Sequence, residues 1–165
     1  MRNLVISIED TNGNIIDYLY FFILREKWYD NPTQTWINEQ IADEPVLEYE
    51  FVIEKYADDV ITESGEIKTF IKGYRLEVRL IFTADLIQRR GKRLMEFWKK
   101  VMEAEKNGYK IFFYPDYSGS RTLIKYEVVL SEESKRKFIE NAWILVEGTY
   151  VFKGKKLLDN IPDWY

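Results

Sequence analysis

The segment that decides the fold is Tyr74-Arg75-Leu76-Glu77-Val78-Arg79-Leu80-Ile81-Phe82. Every second residue in it is apolar, and the residues between are charged except for one isoleucine. This alternation is typical of a strand that buries one face and exposes the other. Such strands belong to antiparallel sheets, because parallel sheets are usually covered on both faces. The segment therefore predicts an antiparallel sheet with its core on one side.

Shorter apolar segments on either side predict the other strands of this sheet. The predicted strands are Asn3–Glu9, Ile15–Leu24, Val46–Tyr56, Tyr109–Tyr114, Ile124–Leu130 and Trp143–Lys153. They contain many β-branched and aromatic residues, which favour strands. Turn signals separate several of them, at Asn12-Gly13-Asn14 and at Ser64-Gly65, because Gly and Asn tolerate a positive φ.

One segment changes its period from two residues to about 3.6. Its apolar side chains are spaced for one helix face: Leu94, Phe97, Trp98, Val101 and Met102. The complementary positions are lysine or glutamate, and Asn107-Gly108 supplies a C-terminal stop. We therefore predict one amphipathic helix over Lys92–Lys106, which must bury its apolar face against the sheet.

The 165 residues fit a single domain, since a chain of this length buries roughly 70% of its unfolded surface around one core. We predict an α+β fold, an antiparallel β-sandwich or barrel with one flanking amphipathic α-helix. An irregular insertion covers residues 25–45, and it is either functional or contains a short helix around Thr35–Ile41. Ser131-Glu132-Glu133 is a candidate helical turn, and a short charged tail covers residues 155–165.

The chain contains neither histidine nor cysteine. These absences exclude imidazole proton transfer, thiolate catalysis and the commonest zinc ligands. Carboxylates remain, but none has a specific pattern: Pro115-Asp116 followed by Glu127 lacks the lysine of a metal-dependent nuclease, because Val128 and Val129 follow. We therefore predict no catalytic, metal-binding or cofactor-binding residues, and a protein that is not an enzyme.

The sequence also argues against a membrane, and against nucleic acid as the main ligand. The most apolar stretch, Ile15–Leu24, is ten residues long and contains Asp17, whereas a spanning helix needs about 20 apolar residues. Basic residues cluster around the predicted helix, but the pI near 5.1 is far below the value of about 9 that is typical of dedicated nucleic-acid binders.

Charge is distributed unevenly along the chain. Residues 1–66 contain 15 acidic and 4 basic side chains, and residues 67–165 contain 13 acidic and 20 basic ones. The two halves either neutralise each other within one chain or attract each other between copies. For the second case, the candidate assembly interface is Glu48, Glu50, Glu54, Asp58, Asp59, Arg89, Arg90, Lys92, Arg93, Lys153, Lys155 and Lys156.

Residues 67–152 resemble the tail-tube and distal-tail family of long-tailed bacteriophages. The resemblance rests on the order of parts, in which the charged strand Lys72–Leu80 leads into one helix. The segments that follow are Tyr109–Asp116, Tyr126–Leu130 and Leu145–Phe152. In that family a β-sandwich or barrel flanked by a helix forms rings that stack around a channel, and no member has a catalytic site.

The resemblance implies a structural virion protein, of tail-tube, distal-tail, baseplate or tail-connector type. It further implies head-to-tail rings of this chain, contacts with other tail proteins, and a channel that nucleic acid passes without specific binding. The family often has a long protruding hairpin, and the irregular segment Arg25–Pro45 is our candidate for it. The alternative is a small phage or bacterial binding or inhibitor module that acts on a protein or nucleic-acid partner.

Overall fold

The computed structural model describes residues 4–21, 28–30, 35–37, 48–83, 91–117, 124–139 and 144–165. These residues form ten strands and one helix. The strands are β1 (Leu4–Glu9), β2 (Ile15–Phe21), β3 (Trp28–Asp30), β4 (Thr35–Ile37), β5 (Glu48–Ile61), β6 (Ile67–Thr83), β7 (Lys110–Tyr114), β8 (Tyr126–Leu130), β9 (Lys135–Ile139) and β10 (Ile144–Gly154). The helix, α1, spans Gly91–Glu103 and lies between β6 and β7.

Eight of the ten strands form one open antiparallel sheet. Its strand order is β2-β1-β7-β8-β10-β6-β5, and β9 pairs with β10 beside β8. The remaining two described strands, β3 and β4, pair only with each other. The predicted α+β class, mainly antiparallel strands with one helix, is confirmed for the described part of the chain. The sheet does not close into a barrel.

β8 and β9 lie end to end along one side of β10, separated by a tight turn. β8 pairs with the last residues of β10, and β9 pairs with its first residues. At the break, the Ser134 hydroxyl accepts a hydrogen bond from the Val151 amide at 3.0 Å. The Ser131 amide donates to the Val151 carbonyl at 2.7 Å. Ser134 therefore satisfies a backbone amide that the interrupted strand leaves open.

The core lies between α1 and one face of the sheet. Phe97, Trp98 and Val101 of the helix are buried, as the spacing predicts. The Trp98 ring stacks on that of Tyr150 in β10, with centroids 3.7 Å apart. Met102 was predicted to lie in the apolar face, but its side chain is 47% exposed. The buried apolar face of the helix is therefore narrower than the spacing predicts, because it does not include Met102.

The predicted glycine stop after the helix is confirmed: Gly108 adopts the left-handed conformation that ends the helical segment. The regular helix ends at Glu103, before the predicted Lys106, and the chain continues in turns to Gly108. The Tyr109 amide donates to the Ala104 carbonyl at 2.8 Å, and Gly108 has a φ of 74°. This pairing is a Schellman-type cap, which requires a left-handed residue, and glycine provides one without steric cost.

Neither of the two candidate helical segments forms a helix in the described residues. Thr35–Ile37 is a strand paired with Trp28–Asp30, not part of a helix; most of the segment 25–45 lies outside the described residues. Ser131-Glu132-Glu133 belongs to the tight turn before β9, which was not predicted as a strand. Thr35–Ile37 has the β-branched and aromatic residues that favour strands, whereas β9 begins with three basic residues and owes its strand structure to pairing with β10.

The segment after β10 also differs from a solvated tail. Leu158 forms an antiparallel bridge with Tyr74 of β6. Further on, the Trp164 indole N–H donates to the Tyr126 hydroxyl at 2.9 Å. Its ring also contacts that of Phe51 in β5. The segment therefore packs against the sheet, where Trp164 contacts side chains of β5 and β8.

The helix of the described residues, α1, lacks the length and apolar character needed to cross a membrane.

Candidate assembly interface

The β5–β6 hairpin extends well past the rest of the sheet. β10 pairs with β6 only from Glu77 to Thr83, and the bridge from Tyr74 to Leu158 is the last lateral contact. Beyond it, residues 57–61 pair with residues 67–71 and with no other described residue. At roughly 3.4 Å per residue, this two-stranded end reaches about 20 Å past the sheet. We call residues 57–72 the arm.

Gly73 allows the arm to leave the sheet. The register shifts between Tyr56 and Ala57, opposite Gly73, and Gly73 has a φ of 153°. A Cβ on Gly73 would lie 2.9 Å from the Cβ of Leu157. The segment after β10 therefore packs directly on the backbone at the base of the arm, which fixes the point where the arm begins.

Both faces of the arm carry exposed apolar side chains. One face contains Ile61, Ile67 and Ile71, because cross-strand partners share a face. The other contains Val60 and Phe70. All five are at least half exposed, from 50% for Val60 to 73% for Ile61. An isolated two-stranded hairpin is at best marginally stable in water, and among the described residues no further strand pairs with the arm.

The polar residues of the arm bond within the arm itself. Lys72 Nζ lies 2.7 Å from Asp58 Oδ2, and Thr69 Oγ1 donates to Asp59 Oδ1 at 2.6 Å. At the tip, the Thr62 amide donates to the Glu66 carbonyl at 2.8 Å. These contacts fix the hairpin register, and the five apolar side chains remain exposed beside them.

The structure divides the predicted interface residues among several surfaces. Glu50 and Glu54 lie on β5, where they are exposed, and Asp58 and Asp59 lie in the arm. Only the backbone of Glu48 in β5 is described, and the same holds for Lys92 and Arg93 in α1. Arg89 and Arg90 lie outside the described residues. Lys153 is the second-last residue of β10, and Lys155 and Lys156 come directly after the strand.

Two of the predicted basic residues already have acidic partners in the same chain. Lys153 Nζ lies 3.0 Å from Glu133 Oε1, and Lys155 Nζ lies 2.9 Å from Glu127 Oε1. The hydrogen bond from Lys153 lowers the pKa of Glu133 and raises that of Lys153. Glu127 likewise raises the pKa of Lys155. These exposed pairs add little stability, but they reduce the charge available to a second copy.

Three further ion pairs join the acidic and basic halves of the sequence. They are Lys72–Asp58, Lys100–Asp17 and Lys125–Glu9, with N–O distances of 2.7 to 2.8 Å. Part of the charge asymmetry is therefore neutralised within one chain. The apolar arm, which the charge pattern did not reveal, is the stronger candidate for a contact between copies.

A buried polar cluster lies on the face of β1 opposite the helix. Glu9 is only 2% exposed. Its Oε1 accepts a hydrogen bond from Lys125 Nζ at 2.8 Å. Its Oε2 accepts from Ser7 Oγ at 2.9 Å and from the Tyr114 hydroxyl at 3.1 Å. The Lys125 ammonium also lies 4.2 Å from the centre of the Phe112 ring. The carboxylate is therefore fully bonded, which a buried charge requires.

Tyr114 makes this cluster sensitive to alkaline pH. Burial, followed by the nearby Glu9 carboxylate, raises the pKa of Tyr114 from its usual 10 to about 12. The folded protein then holds the phenolic proton more tightly than the unfolded chain. Stability from this group is therefore complete below pH 10 and is lost as the pH rises from 10 to about 12.

We expect Tyr114→Phe to remove this part of the pH dependence. At pH 8 the variant should be less stable than the natural protein by about 1 to 3 kcal/mol, because a hydrogen bond to a charged group is lost. The deficit should shrink between pH 10 and 12. Urea unfolding of both proteins across this range measures the difference, and a constant deficit would show that Tyr114 titrates normally.

The arm, the Glu9 cluster and the packing of Trp164 were not predicted from the sequence. For the arm a signal exists, since β-branched and aromatic residues lie on both sides of the predicted Ser64-Gly65 turn. For Glu9 none exists, because two of its three partners, Tyr114 and Lys125, lie more than 100 residues away. Within the described ranges, no group of three or more acidic side chains is arranged to hold a metal ion.

No protein-family model matches this sequence, and no curated protein matches it.

Proposed function

We propose that this protein is a non-catalytic structural component of a bacteriophage tail. In this proposal it is a tail-tube, distal-tail, baseplate or connector protein of the virion. Copies of the chain form a ring by head-to-tail contacts and bind other tail proteins, and nucleic acid passes the channel without specific binding. The observation that carries the proposal is the arm, which presents apolar side chains on both faces away from the core.

The exposed area of the arm argues for a permanent partner. Monomeric proteins rarely expose large contiguous apolar patches, and such patches mark interaction sites. Covering one isoleucine of the arm stabilises a contact by about 1.5 to 3 kcal/mol. The five exposed apolar side chains of the arm lie close together, whereas apolar residues on the surface of a monomer are usually scattered singly. An arm covered by a neighbouring chain explains why the apolar side chains are tolerated.

The shape of the arm favours a head-to-tail contact. An arm that inserts into a different surface of the next copy joins two unlike patches, and a closed rotation then produces a ring. The packing of Leu157 against Gly73 holds the base of the arm in place, and the Lys72–Asp58 ion pair joins the two strands of the arm. A direction fixed by the fold is what a repeated contact of this kind requires.

Ile61→Lys tests the arm. Light scattering and negative-stain microscopy at high protein concentration should show rings or larger assemblies of the natural protein. The variant should raise the dissociation constant between copies by about tenfold to a hundredfold, because a cation replaces one buried isoleucine. Its unfolding temperature should stay close to that of the natural protein, since Ile61 is exposed in the monomer.

Ile161→Lys is the matched control. It introduces the same charge at an apolar residue that is 50% exposed and lies outside the arm. Assembly should persist in this variant. A natural protein that stays monomeric at every concentration would exclude ring formation. Equal loss of assembly in both variants would exclude the arm as the contact.

A further inference from the structure

The strands β7 and β8 separate at one end and leave a gap in the sheet. Their last pair is Ile111 with Val128. Next to this pair, Tyr109 bonds the turn after α1 instead of β8, since its amide donates to the Ala104 carbonyl at 2.8 Å. β8 continues to Leu130 beside β10. On the side of β7, the end of β8 therefore has no partner strand among the described residues. We call this gap beside Leu130 the notch.

The backbone of Leu130 points into the notch. Alternate residues of an antiparallel strand direct their backbone groups to opposite neighbours. On β8, Glu127 and Ser131 face β10: the Lys155 amide donates to the Glu127 carbonyl at 2.9 Å, and the Ser131 amide donates to the Val151 carbonyl at 2.7 Å. Leu130 therefore directs its N–H and its C=O to the other side, where neither group has a backbone partner in the described strands.

The notch opens into a pocket of about 280 Å³ with an apolar floor. Among the described residues, the floor comes from Val101, Ile111 and Val128, which are buried, and the half-exposed Met102 lines its rim. The volume lies below the range of about 300 to 1,000 Å³ that is typical of small-molecule sites, which favours a few aliphatic side chains as the contents. An open strand edge beside such a pocket is suited to an added strand, whose backbone pairs with the edge while its side chains enter the pocket.

The arm of the same chain points away from this notch. Leu130 pairs with Phe152, which in turn pairs with Val78 of β6. The notch therefore lies level with Val78, whereas the arm extends away from Val78, from Lys72 to Ile67. At about 3.4 Å per residue, Ile67 lies roughly 35 Å further along β6 than Val78. A contact between an arm and a notch therefore joins two copies.

We propose that the arm of one copy docks in the notch of the next. The outer edge of the arm pairs with the end of β8, and an aliphatic side chain of the arm fills the pocket. The arm suits this role because no other described strand pairs with it, and because Val60, Ile61, Ile67 and Ile71 are exposed. The two surfaces are unlike, so the contact is of the head-to-tail kind. The inference rests on the proposed function, for which it names the surface that receives the arm.

Met102→Lys tests the notch. The substitution places a cation at the pocket and leaves the buried floor unchanged, since Met102 is 47% exposed. It should raise the dissociation constant between copies by about tenfold to a hundredfold, as Ile61→Lys does, because a cation is brought against aliphatic side chains. The Ile161→Lys control should assemble like the natural protein. Light scattering measures assembly, and thermal unfolding shows that each variant is folded.

A mixture of the two variants shows whether the arm and the notch bind each other. Ile61→Lys keeps an intact notch, and Met102→Lys keeps an intact arm. Each variant alone should be monomeric at a concentration where the natural protein assembles. The mixture should form a dimer with one copy of each, which cannot close into a ring, and analytical ultracentrifugation detects it. In isotope-labelled Ile61→Lys, the NMR signal of the Leu130 amide should shift on addition of unlabelled Met102→Lys and saturate at equal amounts.

Several results would overturn the inference. They are normal assembly of Met102→Lys, a mixture that stays monomeric, and a dimer in which the Leu130 signal does not shift. If Met102→Lys unfolds, Tyr109→Lys replaces it, because Tyr109 also lines the pocket and is 37% exposed. A natural protein that stays monomeric at every concentration defeats the proposed ring and this inference together. Assembly that persists in the notch variant defeats this inference alone.

Discussion

Trp98→Ala should destabilise the protein more than any other single substitution proposed here. The side chain is fully buried, and its ring is stacked on Tyr150 and lies 5.7 Å from the Phe152 ring. Truncation removes this contact area and leaves a cavity between α1 and β10. We expect a loss of about 3 to 5 kcal/mol in the free energy of unfolding, and a fall in melting temperature of roughly 10 °C or more.

Met102→Ala is the control for this prediction. Met102 lies on the same helix, four residues further on, and its side chain is 47% exposed. Its removal should change the free energy of unfolding by no more than about 0.5 kcal/mol. Urea unfolding monitored by circular dichroism gives both values. A loss below about 1 kcal/mol for Trp98→Ala would mean that the helix does not pack on β10 as described.

Lys125→Met should have the second largest effect on stability. The substitution keeps the alkyl stem over the Phe112 ring but removes the cation that bonds Glu9. Glu9 is then a buried carboxylate with only Ser7 and Tyr114 as partners. Breaking a fully buried pair costs about 3 to 5 kcal/mol. Because the Lys125 side chain is 38% exposed, we expect about 2 to 3 kcal/mol instead.

The double variant Glu9→Gln with Lys125→Met distinguishes an unpaired charge from lost packing. With the carboxylate replaced by an amide, no uncompensated charge remains, so the double variant should be more stable than Lys125→Met alone. Chemical unfolding of the natural protein, both single variants and the double variant gives the coupling energy. Additive losses would show that the pair contributes nothing beyond the packing of each side chain.

The sheet and the helix were predictable because each has a local signal. The alternation in Tyr74–Phe82 depends only on which face of a strand is buried, and the structure buries Leu76, Val78 and Leu80. The helix period and its glycine cap were equally local. β9 was not predictable, because it is a charged strand held at the edge by β10 and by the Ser134 hydroxyl. Its register comes from a partner strand, not from its own residues.

The candidate interface likewise has one part that the sequence indicated and one part that only the structure shows. The sequence indicated an assembly through charge, but Lys153 and Lys155 already have partners in the same chain. The structure instead exposes apolar side chains in the arm, which the sequence gives no means to distinguish from a buried hairpin. A strand with apolar residues on both faces is normally covered on both faces. Only the absence of described neighbours along residues 57–72 shows that the arm is exposed.

The sequence by itself determined the class of this protein: an antiparallel sheet with one amphipathic helix, in a chain without histidine or cysteine. Those properties follow from period, composition and turn chemistry, all of which act within a few residues. The tertiary structure alone decided where the arm leaves the sheet, which carboxylate is buried at Glu9, and how Trp164 packs against β5 and β8. Each depends on contacts between residues far apart in the chain, and local patterns carry no information about such contacts.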